Sequence, residues 1–572
     1  MGYVVVSVGE DAETVTLTAT TGDGTPTESS VVGVGDLPAA VARAEAGRPR
    51  WVWDDTASRY PGLLAAGVRV ERAHDLRLCH AILRRSPLSA GSGPATAPAG
   101  AWDTSRTWQA RQGRAEPDLF GDLFGNPFGD AGPGGNGPAP GAPAQTPPPD
   151  PLTELRAQLD AVAASAAPDR LRLLLAAESA GALLAAEMHA DGMPWDADTH
   201  DRLLTGLLGP RPPAGTRPRR LADLAEEVRR ALDRPDLNPD SQPDLLRALR
   251  RAGLDVATTR AHELRAHSHP AVGPLLEYKK LARLLAANGW SWADTWVRDG
   301  RYRPEYVPAG VPTGRWATSG GGALQLPDAV RGAVRADPGW RLVVADARQL
   351  EPRVLAAMAA DQAMTTAARS GDLYTAIVDA GTVATRDEAK TAMLGAIYGA
   401  TTGASATLLP RLAQAFPRAM RLVADAARAG ERGEAVRTWL GRGSPTPSDS
   451  WHQTMDLASS HDASPADVTR ARRAARDWGR FTRNFVVQGT AAEWALCWLA
   501  TLRRRLRDIP GRPHLVYFLH DEVIVHTPSA TADAVATATM DAATEAGHLL
   551  FGDAPAAFPL DVAVVHTYDR AG

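Results

Sequence analysis

The sequence predicts a multidomain chain mixing α/β and α+β units, and three observations carry that expectation. Two apolar, β-rich runs, LVVADARQLEPR from Leu342 to Arg353 and LVYFLHDEVIVHT from Leu515 to Thr527, each deliver an Asp, Asp346 or Asp521, where a strand ends or turns. Ala/Leu-rich stretches with helical spacing dominate the region from about 151 to 300. Between Ser86 and Asp150 the chain is rich in Pro, Gly, Ala and Ser, ends GAPAQTPPPD and shows neither period, so it separates a small N-terminal unit from the rest. With 572 residues, 44% of them hydrophobic, the chain can bury several cores.

Taken in order, residues 1–86 read as a small α/β unit, with strands near Val4–Val8, Val15–Thr20 and Trp51–Trp53 and helices around Pro38–Ala46 and His74–Arg84. The start, MGYVVVSVGEDAE, has no basic n-region or cleavage site, and no run of about 18 uninterrupted apolar residues suggests a membrane span. Asp54-Asp55 and His74-Asp75 are this unit's candidate acids, and turns or helix caps are the ordinary use of acids at such places. Residues 87–150 read as a flexible linker. Inside it Glu116-Pro117-Asp118-Leu119-Phe120, with Phe124 and Phe128 following, forms an apolar-aromatic patch that a tether does not need. Amphipathic helices follow at Leu152–Ala164 and Leu171–His189, a stop and restart at Asp191-Gly192-Met193-Pro194-Trp195, then Leu221–Leu232, Ser241–Ala252 and Pro274–Asn288. A last strand is expected at Leu560–Val565. The two cysteines, Cys79 and Cys497, lie far apart without metal-ligand spacing, which argues against a disulfide framework or zinc site and suits a reducing cytoplasm. A net charge of −4 decides nothing about nucleic acid, which needs a local basic channel rather than a basic total.

The chemistry gathers in the C-terminal half. Two carboxylates on neighbouring strands can hold a pair of Mg²⁺ ions about 3.5–4 Å apart, an arrangement suited to phosphoryl transfer. The helix RDEAKTAMLGAIYG, Arg386 to Gly399, supplies the complementary charge: Arg386, Lys390, Leu394 and Tyr398 recur every four residues. They form one stripe along roughly 18 Å of helix, about the reach of a nucleoside triphosphate. Of 62 basic residues only Lys279, Lys280 and Lys390 are lysines. A chain so biased toward Arg has placed a compact ammonium where a phosphate would meet it.

At these residues the chain resembles the polymerase domain of family A DNA polymerases, the bacterial DNA polymerase I family. Asp346 with Gln349, Glu351 and Arg353 is similar to motif A (D-Y-S-Q-I-E-L-R), Arg386, Lys390, Gly395, Tyr398 and Gly399 to motif B (R-x3-K-x3-F-G-x2-Y-G), and His520-Asp521-Glu522 to motif C. Thr313-Gly314-Arg315 and the run Arg480, Asn484, Gln488-Gly489-Thr490-Ala491-Ala492 fit two further signatures in the right order, over roughly residues 170 to 572. The chain departs from the pattern at Ala347-Arg348, where Tyr-Ser is usual, at Pro352, where Leu is usual, and at Leu394, which replaces the aromatic of motif B.

The resemblance implies a right-hand polymerase preceded by a degenerate 3′–5′ exonuclease-like domain. Its parts would be the exonuclease-like unit at 1–86, the linker at 87–150, a helical thumb at 151–300, palm at 301–357, fingers at 358–473 and palm again at 474–572. It implies template-directed addition of deoxynucleotides to a primer 3′-hydroxyl, in repair or gap filling and without proofreading, by a monomer. Catalysis would fall to Asp346, Asp521 and Lys390. Two Mg²⁺ would be held by Asp346, Asp521, the Ala347 carbonyl and Glu522. Nucleotide would meet Arg386, Lys390, Leu394, Tyr398, Glu351 and Gln349. Primer-template DNA would meet Arg315, Gln325, Arg480, Asn484, Gln488 and His520, with Lys279, Lys280 and Arg283 as thumb contacts to phosphates. Leu119 and Phe120 resemble, with Glu in place of a leading Gln, the anchors of peptides that dock on the sliding clamp. Two alternatives stay open: an inactive DNA-binding scaffold of this fold, and a single-subunit RNA polymerase, against which Glu351 argues as the side chain that blocks a 2′-hydroxyl.

Overall fold

The computed structural model describes residues 2–9, 11–103, 150–213, 215–369, 371–399, 403–553 and 556–571. Its N-terminal unit is built on a five-stranded sheet in the order Pro26–Gly33, Thr14–Thr20, Tyr3–Val8, Arg50–Trp53, Arg72–Asp75. Thr14–Thr20 runs antiparallel to both its neighbours, and the last two strands run parallel to Tyr3–Val8. Two of these strands escape the sequence reading. Pro26–Gly33 is an exposed edge strand whose Thr and Ser give no apolar alternation. Arg72–Asp75 is a strand where a helix is expected, and the helix starts only at Leu76. Asp75 makes the change of state: its carboxylate accepts the N–H groups of Thr56 and Leu78 at 2.7 and 3.0 Å. Asp55 caps the helix Thr56–Ala65 through the Ala57 N–H at 2.9 Å, and Asp54 pairs with Arg59 at 2.7 Å.

The first part of the expected linker, residues 87–103, is ordered against the protein. Residues up to 103 are docked: the Arg77 guanidinium lies 5.4 Å from the Trp102 ring, Asp103 pairs with Arg84 at 2.7 Å, and the Ser86 hydroxyl donates to the Gly441 carbonyl at 2.6 Å. One Trp and one Asp anchor this stretch, which a count of Pro and Gly cannot reveal. Leu119, Phe120 and the rest of the aromatic patch lie outside the described residues.

A buried ionic cluster fastens the N-terminal unit to the remainder. Arg503 donates to both carboxylate oxygens of Glu187, at 2.8 and 2.7 Å, and to the carbonyls of Glu71 and Val70. Tyr60 donates to the same Glu187 at 2.7 Å. The three side chains come from the helices Thr56–Ala65, Pro168–Asp191 and Pro465–Leu506.

The central sheet has four antiparallel strands in the order His514–Leu519, Glu522–Pro528, Trp340–Ala347, Leu560–Val565. Leu342 to Ala345 and Val523 to Val525 are buried without alternation, so both faces of the sheet are covered. The main core joins this sheet to Pro168–Asp191, the second half of Pro465–Leu506 and the helix Ala532–Phe551. A second core, from Leu355 to Ala426 with Val486 and Val487, forms around the helices Arg386–Tyr398 and Pro417–Glu431. A third, from Val228 to Leu275, closes a helical lobe of its own. Pro465–Leu506, 42 residues long and opened by a Ser464–Asp467 capping box, touches the first two cores. Among the described residues it is the one helix long and apolar enough to cross a bilayer, and its most apolar window is 89% buried inside the protein.

Candidate active site

Strand register brings the two aspartates together. Glu522–Pro528 pairs with Trp340–Ala347 so that Asp346 stands opposite Glu522, and the two-residue turn His520-Asp521 closes the hairpin beside it. His520 takes a left-handed conformation, φ 56°, to make that turn, and the Ala347 N–H donates to the Asp521 carbonyl at 2.9 Å. Both carboxylates open into one cleft of about 590 Å³. Burial first, and the neighbouring Glu522 carboxylate second, push Asp346 up to about 6, while Arg348 draws it back. Burial and then Asp346 push Asp521 up to about 7, against the pull of Arg315.

This donor set fits a hard divalent cation. Among the described residues no side chain donates a hydrogen bond to either carboxylate, and no cluster of three or more His, Cys, Asp or Glu converges as a metal site. Mg²⁺ is commonly held in this way, by one or two carboxylates with substrate phosphates completing its shell. Glu522, expected among the ligands, stands opposite Asp346 in the strand pairing, and its Oε2 accepts the Tyr568 hydroxyl at 2.6 Å.

The opposite wall is the helix Arg386–Tyr398, which the Thr385–Glu388 capping box starts and Gly399, φ 71°, ends. Arg386, Lys390, Leu394 and Tyr398 all face the cleft, as their spacing of four requires. Lys390 is exposed and makes no ion pair among the described residues. Arg386 pairs with Asp372 at 2.7 Å and lies 5.6 Å from the Tyr374 ring. Burial would raise Asp372, but hydrogen bonds from Arg386 and Gln349 hold it down to about 2. Gln349 is a clamp: its amide donates to Asp372 at 2.9 Å and accepts the Leu373 N–H at 2.9 Å.

Glu351 is buried on the cleft floor, where its carboxylate accepts the Tyr398 hydroxyl at 2.5 Å and pairs with Arg315. Arg315, expected to meet primer or template, is anchored on Glu351 and acts electrostatically on Asp521. Burial first and Arg315 second lower His520 to about 3. Arg353 is wholly buried and donates to the carbonyls of Arg348, Ala368, Gly371 and Ala557. Gly314, φ 84°, abuts Arg442, which forms a buried pair with Glu178.

Arg480, Asn484 and Gln488 share one face of Pro465–Leu506, and that face leads to Ala491 and Ala492 on the cleft. Arg480 pairs with Asp477 at 3.3 Å, and Asn484 Oδ1 is buried without a partner. Gln325 closes the short turn Ala323–Gln325. Lys279 donates to the Thr259 carbonyl and hydroxyl, at 2.5 and 2.8 Å, on the helical lobe.

A family model for DNA polymerase family A matches residues 219–566, more than half of the chain. The chain belongs to DNA polymerase family A. Curated relatives include DNA polymerase I of Chloroflexus aurantiacus, 28% identical over 333 residues, which span 53% of this chain and 33% of that protein. The thermostable DNA polymerase I of Thermus aquaticus is 27% identical over 324 residues, 52% of this chain and 36% of the relative. That of Thermus thermophilus is 26% identical over 395 residues, 60% and 43%. The matches thus span between a third and somewhat over two fifths of these relatives' length. Among solved structures, the polymerase domain of Pol1 from M. smegmatis, in a complex with DNA primer-template and dNTP, matches with a TM-score of 0.65. It is 17% identical, with 100% of this chain and 96% of that one covered, a likeness of fold.

Several residues of the cleft, among them Asp372, Tyr374 and Asp561, were not foreseen in the sequence. Asp372 and Tyr374 sit in SGDLYT, a stretch with no motif to mark it, and Asp561 stands opposite Asp346 on the last strand. An Asp inside the otherwise apolar run LDVAVV was the signal for Asp561.

Proposed function

We propose that this chain is a template-directed DNA polymerase that extends a primer 3′-hydroxyl with deoxynucleoside triphosphates. The observation that carries this reading is the convergence of Asp346 and Asp521 with the Arg386–Lys390 wall in one cleft. Two Mg²⁺ ions held by Asp346 and Asp521, with the Ala347 carbonyl as a further ligand, would supply activation of the 3′-hydroxyl and charge neutralisation on the leaving pyrophosphate. Lys390 and Arg386 grip the triphosphate from the other wall, and Lys390 is placed to protonate pyrophosphate. Leu394 contacts the nucleotide's sugar and base where the family has an aromatic. Glu351, pinned by Tyr398 and Arg315, stands as a wall against a 2′-hydroxyl and supports the DNA over the RNA polymerase reading. Arg480, Asn484, Gln488, Gln325 and His520 meet the primer-template, and the thumb lysines contact its phosphates.

Primer extension by the purified protein, with Asp521→Ala as control, tests this: no extension on any primed or gapped duplex leaves only the DNA-binding scaffold. We further propose that residues 1–86 do not proofread, because Asp54, Asp55 and Asp75 serve ion pairs and helix caps rather than a shared metal site. Metal-dependent 3′–5′ degradation of a mismatched primer by the Asp521→Ala protein would refute that. Leu119 and Phe120 are proposed as sliding-clamp anchors that raise processivity through effective concentration. Equal clamp binding and processivity of wild type and Leu119→Ala/Phe120→Ala would dispose of the idea.

A further inference from the structure

Arg348 stands where the family motif carries a serine, so whatever it does is not part of the common machinery. Its backbone is held at both ends: the N–H donates to the Pro559 carbonyl at 3.2 Å, and the carbonyl accepts the Arg353 guanidinium at 2.9 Å. Its side chain is not. The guanidinium lines the same cleft as Asp346, Arg386 and Lys390, with 47% of the side chain exposed. Arg348 follows the strand Trp340–Ala347 directly, in the turn, and its side chain reaches Asp561, the residue paired with Asp346, so it lies beside the carboxylates.

The sole ion-pair partner of Arg348 among the described residues is Asp561, which lies directly across from Asp346 in the strand pairing. That pair is half exposed on both sides, and such pairs contribute little and exchange readily. An anchored backbone, a swinging planar cation and a weak resident carboxylate make a site that a phosphate, which an arginine can bind bidentately, would take over. On the opposite wall Arg386 is shared with Asp372 and Lys390 makes no ion pair among the described residues, so a polyanion of about four charges leaves room for a third cation.

We propose that Arg348 is a further nucleotide-binding residue, which leaves Asp561 to hold the distal phosphates of the incoming triphosphate. This rests on the polymerase reading above and names a contact specific to this chain. The test is equilibrium binding of the templated dNTP, and separately of the matching dNMP, to wild-type protein on a primer-template whose primer ends in a 3′-deoxynucleotide.

Arg348→Ala is expected to weaken dNTP binding roughly ten- to a hundredfold, the worth of one charge-assisted contact. Its dNMP and primer-template affinities should be unchanged, Arg348→Lys should recover part of the loss, and Asp561→Asn should bind dNTP at least as tightly as wild type. An unaltered dNTP affinity in Arg348→Ala, an equal loss for dNTP and dNMP, or a loss of primer-template binding would each overturn the inference while wild-type extension upholds the polymerase. Wild-type protein that neither extends a primer nor binds dNTP would instead bring down the underlying reading.

Discussion

Replacing Asp521 by Asn should make the metal-free protein more stable while abolishing its activity. Asp521 rises from 3.8 to about 7 in the folded chain. At about 1.4 kcal/mol per pH unit that corresponds to roughly 4 kcal/mol, which solvent access at the cleft trims to about 2–3 kcal/mol. The sign follows from proton uptake. A carboxyl whose folded value lies above its unfolded one holds its proton more tightly when folded, so ionising it costs stability. The penalty is absent below about pH 4, grows through the interval between the two values and is complete above about pH 7. Thermal unfolding in EDTA at pH 8 should therefore show Asp521→Asn melting a few degrees above wild type, and the gap should close as the pH is lowered towards 4. Millimolar Mg²⁺ should stabilise wild type and leave the variant unmoved. A variant less stable than wild type at pH 8 without metal, or a gap independent of pH, would refute the account of the cleft as two carboxylates short of a cation.

Arg503→Met should destabilise the protein by about 3–5 kcal/mol because it strands the buried Glu187 charge, whereas Glu187→Met/Arg503→Met should regain most of that in denaturant unfolding; equal losses in single and double variants would contradict this. Gly314→Ala forces a left-handed alanine whose Cβ would come within 2.5 Å of Arg442, so a loss of about 1–3 kcal/mol in thermal unfolding and slower primer extension are expected. Tyr398→Phe removes the hydroxyl that fixes Glu351 and should raise ribonucleotide incorporation up to about tenfold in single-turnover assays, less than Glu351→Ala does.

The sequence carried the strands that deliver Asp346 and Asp521 because an apolar run broken by an acid is a local signal, and it carried the cleft face of Arg386–Tyr398 because helical spacing is local too. Pairings across the fold left no such trace. Arg315 meets Glu351 across 36 residues, Arg348 meets Asp561 across 213, and Arg442 meets Glu178 across 264. Periodicity does not encode such distances, so the partners of Arg315 and Glu522, namely Glu351 and Tyr568, emerge only from the tertiary structure. The docked residues before 104 and the polar edge strand Pro26–Gly33 were hidden for a related reason: neither buries a periodic apolar face.

The 42-residue helix Pro465–Leu506 also fixes where this gene can change length. Gln488 on the cleft face and Arg503 in the Glu187 cluster lie on one unbroken helix, so their relative bearing depends on the number of residues between them. Inserting or deleting one residue there would swing the C-terminal part by about 100°. That would carry Arg503 away from Glu187 and the N-terminal unit while leaving Arg480, Asn484 and Gln488 where they were. Variants of this chain are thus expected to admit no length change between Gln488 and Arg503, and a deep insertion–deletion scan along this helix would read that boundary directly.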